Sequence, residues 1–136
     1  DYNIDLNRVY SCGMSNGGFM SYRLACELSN RITAVASVTG TMATNAPASC
    51  NPEKPTPVMQ IHGTADGTVN YSGGGGISAS ITSVLTHWSN YNNCDQTAVQ
   101  TNMPNISTSD NCTAVKYEYF NAKWFFTKNI FFIFSK

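Results

Sequence analysis

Apolar residues in this chain fall either into short unbroken runs or into stretches spaced by three and four. Residues 8–12, Arg-Val-Tyr-Ser-Cys, are β-branched and aromatic enough for a short strand, which Gly13 ends. From 17 to 28, Phe19, Met20, Leu24, Ala25 and Leu28 recur with the period of a half-buried helix. Residues 34–38 form a second apolar run, and 58–62, Val-Met-Gln-Ile-His, a third that Gly63 closes. Between them, residues 40–57 carry four prolines and Cys50 and predict a long loop. The glycine tract 73–76 predicts another loop, and Ile81, Val84, Leu85 and Trp88 mark one face of a helix over 78–91. A polar stretch over 92–111 then precedes an alternating strand over 114–120.

Runs that do not alternate, separated by helices or long crossovers, are the pattern of parallel strands buried on both faces. The expected fold class is therefore α/β, a mainly parallel sheet with flanking helices, with residues 1–120 as one core. The tail 121–136 differs in kind, because Phe, Ile, Lys and Asn dominate it. Lys128 and Asn129 interrupt it, and it is too short for a membrane span of about 20 apolar residues. Its alphabet is what AT-only codons encode. Two readings stay open: translation through a frameshift or past a coding frame, or a buried terminal strand.

Composition narrows the function. The chain has 136 residues, 42% of them hydrophobic and only 12% charged, with eight acids balancing eight bases. That neutrality excludes a nucleic-acid partner, which requires a basic face to displace counterions. The five cysteines, Cys12, Cys26, Cys50, Cys94 and Cys112, show no CxxC pair, so neither a metal nor another cofactor is expected. Their spacing predicts Cys26–Cys50 and Cys94–Cys112 disulfides, with Cys12 a free thiol beneath the turn that follows it. Low charge, these cysteines and the sequons at Asn70, Asn105 and Asn111 point to a secreted protein. No cationic region followed by an apolar run opens the sequence, so an export signal would lie outside it.

Chemistry enters at Gly13-Met-Ser15-Asn-Gly17, between the first strand and the first helix. A serine hydroxyl is a poor nucleophile until a base takes its proton and donors stabilise the oxyanion. Glycines on either side let the chain turn sharply from strand to helix with the serine exposed at the tip. Ser15 is the candidate nucleophile, and the backbone N–H of Asn16, at the start of the helix, is a candidate oxyanion donor. The third strand delivers a second motif, Gln60-Ile-His-Gly-Thr-Ala-Asp66-Gly-Thr-Val69. Asp66 follows Ser15 in the order of an α/β-hydrolase triad and would orient and stabilise the histidine cation.

These two motifs, with Ser29-Asn-Arg-Ile-Thr-Ala-Val-Ala-Ser-Val-Thr-Gly-Thr-Met42 between them, resemble the extracellular polyhydroxybutyrate depolymerase and feruloyl esterase group of α/β-hydrolases. The resemblance covers residues 6–120. It implies a serine carboxylic-ester hydrolase acting on polyesters or on acyl groups esterified to plant polysaccharide, with Ser15 as nucleophile and Asp66 as triad acid. The partner is then an ester substrate, with neither a membrane nor a nucleic acid involved.

The general base is the missing part. Only His62 and His87 exist. His62 precedes Asp66 on the same strand and reads as a loop brace. His87 has the right order but falls inside a helix next to Trp88, whereas a triad histidine belongs on a loop after a later strand. In the resembled group that histidine sits in a glycine-rich loop downstream of the strand at 114–120, where this chain has Ala122-Lys-Trp124 and the aromatic tail. By the same resemblance, the early strands and the loop with the second oxyanion donor would precede Asp1. The expectation is a partial α/β-hydrolase fold, lacking early strands and the histidine-bearing segment. The alternative is a non-catalytic homologue or inactive fragment.

Overall fold

The computed structural model describes residues 2–120 and 128–135. Along the chain the elements are β1 (Tyr10–Met14), α1 (Asn16–Glu27), β2 (Ala34–Val38), α2 (Ala46–Ser49), β3 (Val58–Gly63), α3 (Ile81–Tyr91), β4 (Val99–Asn102), β5 (Thr113–Phe120) and β6 (Lys128–Ser135). They build one sheet in the order β1-β2-β3-β6-β5-β4. The pairs from β1 to β6 are parallel, and β6-β5 and β5-β4 are antiparallel. The architecture is mixed α/β. Two short elements were not legible beforehand. α2 is a single turn inside the proline-rich loop, and β4 is an edge strand whose four residues are all exposed, so neither bears an apolar stripe.

One face of the sheet holds the core. Val35, Ser37, Val58, Gln60, His62, Phe131 and Ile133 are buried there beneath the helices. α1 and α3 meet over it through Tyr22 and Trp88, whose rings stack at 6.2 Å and are 1% and 0% exposed. The opposite face alternates out of the core. In register across four strands it presents Cys12, Ala36, Met59 and Ile130, then Met14, Val38, Ile61 and Phe132, all partly or fully exposed. Cys12 is a free, exposed thiol on that open face and is not tucked beneath the serine turn.

Cys26 and Cys50 form the expected disulfide, with Cα atoms 5.2 Å apart, joining α1 to the segment after α2. The other expected bridge is absent: Cys94 and Cys112 are both free. The Asp95 N–H donates to Phe120 O at 2.7 Å, which puts Cys94 at the far end of β5, whereas Cys112 precedes its first residue. Eight residues of strand span roughly 27 Å, and a disulfide tolerates at most about 7 Å between Cα atoms.

Residues 128–135, open between two readings in the sequence, form β6 and fill the sheet between β3 and β5. Residues 121–127 and Lys136 lie outside the described residues. From Ile130 to Phe134 the strand is apolar on both faces, so hydrophobicity alone does not distinguish one register from the next. Asn129 does. It is fully buried, and its Oδ1 accepts from the Val58 N–H at 3.1 Å and from Asn92 Nδ2 at 2.9 Å. Asn92, at the C-cap of α3, also bonds the Thr56 N–H and carbonyl at 3.0 and 2.8 Å. Replacing Asn129 by leucine strands two buried donors, and should lower the urea-unfolding free energy by about 2–4 kcal/mol; a loss below 0.5 kcal/mol would show that the amide does not pin the strand.

Candidate active site

Ser15 follows the last residue of β1 and is the N-cap of α1, with φ 52° and ψ −117°. A serine held at positive φ is strained by about 1–3 kcal/mol, and such residues gather at functional sites. Its neighbour at the end of β2, Thr39, is also at positive φ, 48°. The Ser15 N–H donates to Val38 O at 2.8 Å and the Thr39 N–H to Ile61 O at 2.8 Å, so the ladder of parallel strands continues into both strained residues. Asn16 opens α1. The N–H groups of a first turn have no acceptor within their own helix, so that of Asn16 is available to an anion beside Ser15.

Close packing makes the turn possible, though not through both motif glycines. A Cβ on Gly13 would lie 2.5 Å from the carbonyl carbon of Gly17. A Cβ on Gly17 itself would meet nothing within 4 Å. The second obligatory glycine is Gly18, where a Cβ would stand 2.4 Å from Ser37 Oγ and 3.0 Å from Gly40 Cα. The sequence pattern pointed one position too early, since the tight approach involves β2 and becomes visible only in three dimensions.

Asp66 lies in the turn after β3, two strands from Ser15 and at the same, carboxyl-terminal edge of the parallel strands. Its Oδ1 accepts from the backbone N–H groups of Thr68 and Val69, both at 2.9 Å. These amides, Thr68 first, hold its carboxyl below the usual aspartate range. Oδ2 takes no hydrogen bond from the described residues and is 3.8 Å from His62 Nε2.

His62 is wholly buried and wired into the fold. Tyr22 Oη donates to Gln60 Oε1 at 2.6 Å, and burial keeps that phenol protonated far above its ordinary range. Gln60 Nε2 donates to Gly40 O at 3.0 Å and to His62 Nδ1 at 3.1 Å. With Nδ1 accepting, the ring donates from Nε2 to Val69 O at 2.8 Å. This ring therefore braces the loop that carries Asp66. The sequence signal for the network was one polar residue, Gln60, inside an apolar strand.

His87 sits in the second turn of α3, its ring against Trp88 and Tyr91 at 5.2 and 6.0 Å, and its Nε2 makes no hydrogen bond to the described residues. Burial pushes its imidazole below the ordinary value. Six residues of helix, roughly 9 Å, separate it from Ile81, the first residue of α3. The segment before α3 is tied to the residues after β2, where the Ala79 N–H donates to Met42 O at 2.9 Å. The structure thus brings Ser15, Asn16, Asp66 and His62 to one edge of the sheet and leaves His87 on its flank. Among the described residues no three His, Cys, Asp or Glu side chains are grouped to hold a metal.

A strained serine between a parallel strand and a helix N-terminus, with an acid two strands away, is the arrangement of the α/β-hydrolase fold. Residues 1–114 match the phospholipase/carboxylesterase family, and the chain belongs to it. It is 37% identical over 71 residues to a bifunctional acetylxylan esterase/xylanase of Neocallimastix patriciarum, covering 52% of this chain and 10% of that protein. It is 38% identical over 71 residues to feruloyl esterase D of Neurospora crassa, covering 52% of this chain and 23% of the relative. The chain thus spans less than a quarter of the length of either relative. Among solved structures a thermostable esterase superposes with a TM-score of 0.53 over 68% of this chain and 22% of its own, at 21% identity, a likeness of fold. Among the described residues, no helix is long and apolar enough to cross a membrane.

Two outcomes follow from this geometry. Gly17→Ala should leave the unfolding free energy within about 1 kcal/mol of the parent, since alanine suits a helix better than glycine, whereas Gly18→Ala should cost more than about 2 kcal/mol by overpacking; equal effects in thermal unfolding would contradict the packing described. For Asp66 the folded value lies below the unfolded one, so its ionised form contributes stability above the unfolded aspartate value of about 3.9, and that contribution is lost as pH falls through the folded value. The stability difference between the parent and Asp66→Asn should be flat from pH 7 to about 4 and shrink below that; a difference that grows on acidification would refute it.

Proposed function

We propose that this chain carries the nucleophile and acid of a serine carboxylic-ester hydrolase that cleaves acyl groups from plant polysaccharide outside the cell. The observation that carries the reading is the backbone of Ser15, strained at the tip of a strand-to-helix turn. In this mechanism Ser15 Oγ attacks the ester carbonyl carbon as a base removes its proton. The oxyanion is received by the Asn16 N–H, and the protonated base returns its proton to the departing alcohol. Water then attacks the acyl-enzyme, giving the free acid and restoring the serine hydroxyl.

Asp66 is the triad acid, its unengaged Oδ2 serving the imidazole. β1 and β3 lie two strand spacings apart, about 10 Å. One imidazole with a hydrogen bond at each side bridges about 8 Å. Neither His62, spent on Val69 O, nor His87, on the flank of the sheet, is suited to that gap. Between polyester and acylated polysaccharide as substrate, the acetylxylan and feruloyl esterases among the relatives support the second.

This reading makes the chain a weak esterase that a small base can rescue. Imidazole at roughly 50 mM should raise p-nitrophenyl butyrate hydrolysis by the chain at least tenfold above the same mixture containing Ser15→Ala, losing a triad member being worth orders of magnitude in rate. Identical rates for the two proteins would remove Ser15 as the nucleophile.

A further inference from the structure

The ends of β1, β2 and β3 stand side by side, and Ser15, Thr39 and the turn that carries Asp66 follow them. An imidazole that bridges the serine and the aspartate therefore crosses the end of β2, one strand spacing of about 4.8 Å from either neighbour. What β2 presents there is narrow. Ser37, Thr41 and Met42 are at most 2% exposed, Gly40 is buried too, and Val38 stands in register with Met14 and Ile61 on the open face of the sheet. Of residues 37–42 this leaves Thr39, half-buried, as the side chain between the nucleophile and the acid.

The backbone of Thr39 marks it out. At φ 48° a β-branched residue is an outlier, whereas a glycine would adopt that conformation at no steric cost. The conformation is imposed from both sides. The Thr39 N–H donates to Ile61 O at 2.8 Å, Gln60 Nε2 donates to Gly40 O at 3.0 Å, and Thr41 Oγ1 donates to Ala79 O at 2.8 Å. None of these bonds uses the Thr39 side chain, whose hydroxyl makes no hydrogen bond to the described residues. A strained residue with an unspent side chain at a ligand-facing edge is the pattern of a functional constraint.

Hydrogen bonds at its two nitrogens hold a bridging imidazole at both ends and leave it free to roll about the line joining Ser15 to Asp66. A side chain beneath the middle of the ring stops that rotation. We infer that Thr39 is a positioning residue for the general base, the floor on which the imidazole rests as it takes the Ser15 proton. The inference rests on Ser15 as nucleophile and Asp66 as acid. Because the contact is with the base and not with the bound ester, its loss lowers kcat and leaves KM unchanged.

The test is the imidazole-dependent hydrolysis of p-nitrophenyl butyrate, with Ser15→Ala as the blank. Thr39→Gly should lower kcat about fivefold or more, since a reacting group slightly out of place is costly, with KM unchanged and a urea midpoint no lower than that of the parent. Thr39→Val, which keeps both the strain and the β-branched shape, should stay within about twofold of the parent. A Thr39→Gly chain as fast as the parent would overturn the inference, and so would an equal loss in Thr39→Val. In the parent itself, imidazole should shift the Thr39 methyl signal saturably in ¹³C–¹H spectra while that of Thr101, on the exposed strand β4, stays fixed; this measurement decides if Thr39→Gly does not fold. A fixed Thr39 methyl would remove the floor while Ser15-dependent hydrolysis stands. A shifting methyl with equal hydrolysis by the parent and Ser15→Ala would instead remove the nucleophile and leave the imidazole seat in place.

Discussion

Gln60 is the side chain through which the parts of the site hold one another. Buried in the middle of β3, it joins α1 through Tyr22, the end of β2 through Gly40 and the Asp66 loop through His62. Each of these bonds is made in surroundings of low polarity, where a made bond is strong and a missing one leaves a costly unpaired group. No one of the three segments can shift without stranding a donor or acceptor on another. Serine and aspartate thus come from separate loops and yet share one rigid frame.

The frame has something to restrain. Ser15 and Thr39 hold positive φ side by side, and Gly18 and Gly40 bring α1 against the end of β2 more closely than any side chain would allow. Strain of that kind persists only where surrounding structure over-determines it. Here the surroundings are the stacked Tyr22 and Trp88 above and the strand ladder below. Asp66 is held differently, chiefly by two backbone amides, so its carboxylate is placed by chain geometry.

What the sequence made legible was whatever repeats. Unbroken apolar runs gave β2 and β3, three-and-four spacing gave α1 and α3, and the glycine-flanked serine gave the turn between β1 and α1. Elements with no buried stripe, α2 and β4, left no such trace. The Cys94–Cys112 pairing failed because proximity in sequence across a polar stretch says nothing about a strand that carries one end away. Gly18 was missed because its neighbour, Ser37, is 19 residues distant and only the parallel pairing of β1 and β2 brings it near. β6 stayed ambiguous because its apolar residues face both sides; its one informative residue, Asn129, looked like an interruption.

The position of β6 has a consequence for how the sheet is assembled. It is the last of six strands in sequence but the fourth in space, and the bond from Val58 to Asn129 spans 71 positions. Contacts this distant along the chain slow folding, because loop closure precedes any reward. During synthesis at roughly 5–20 residues per second, β3 waits several seconds with one edge unpaired and open to other strands. That exposed edge, and not only the stability of the finished sheet, is where a nascent chain is open to wrong pairing.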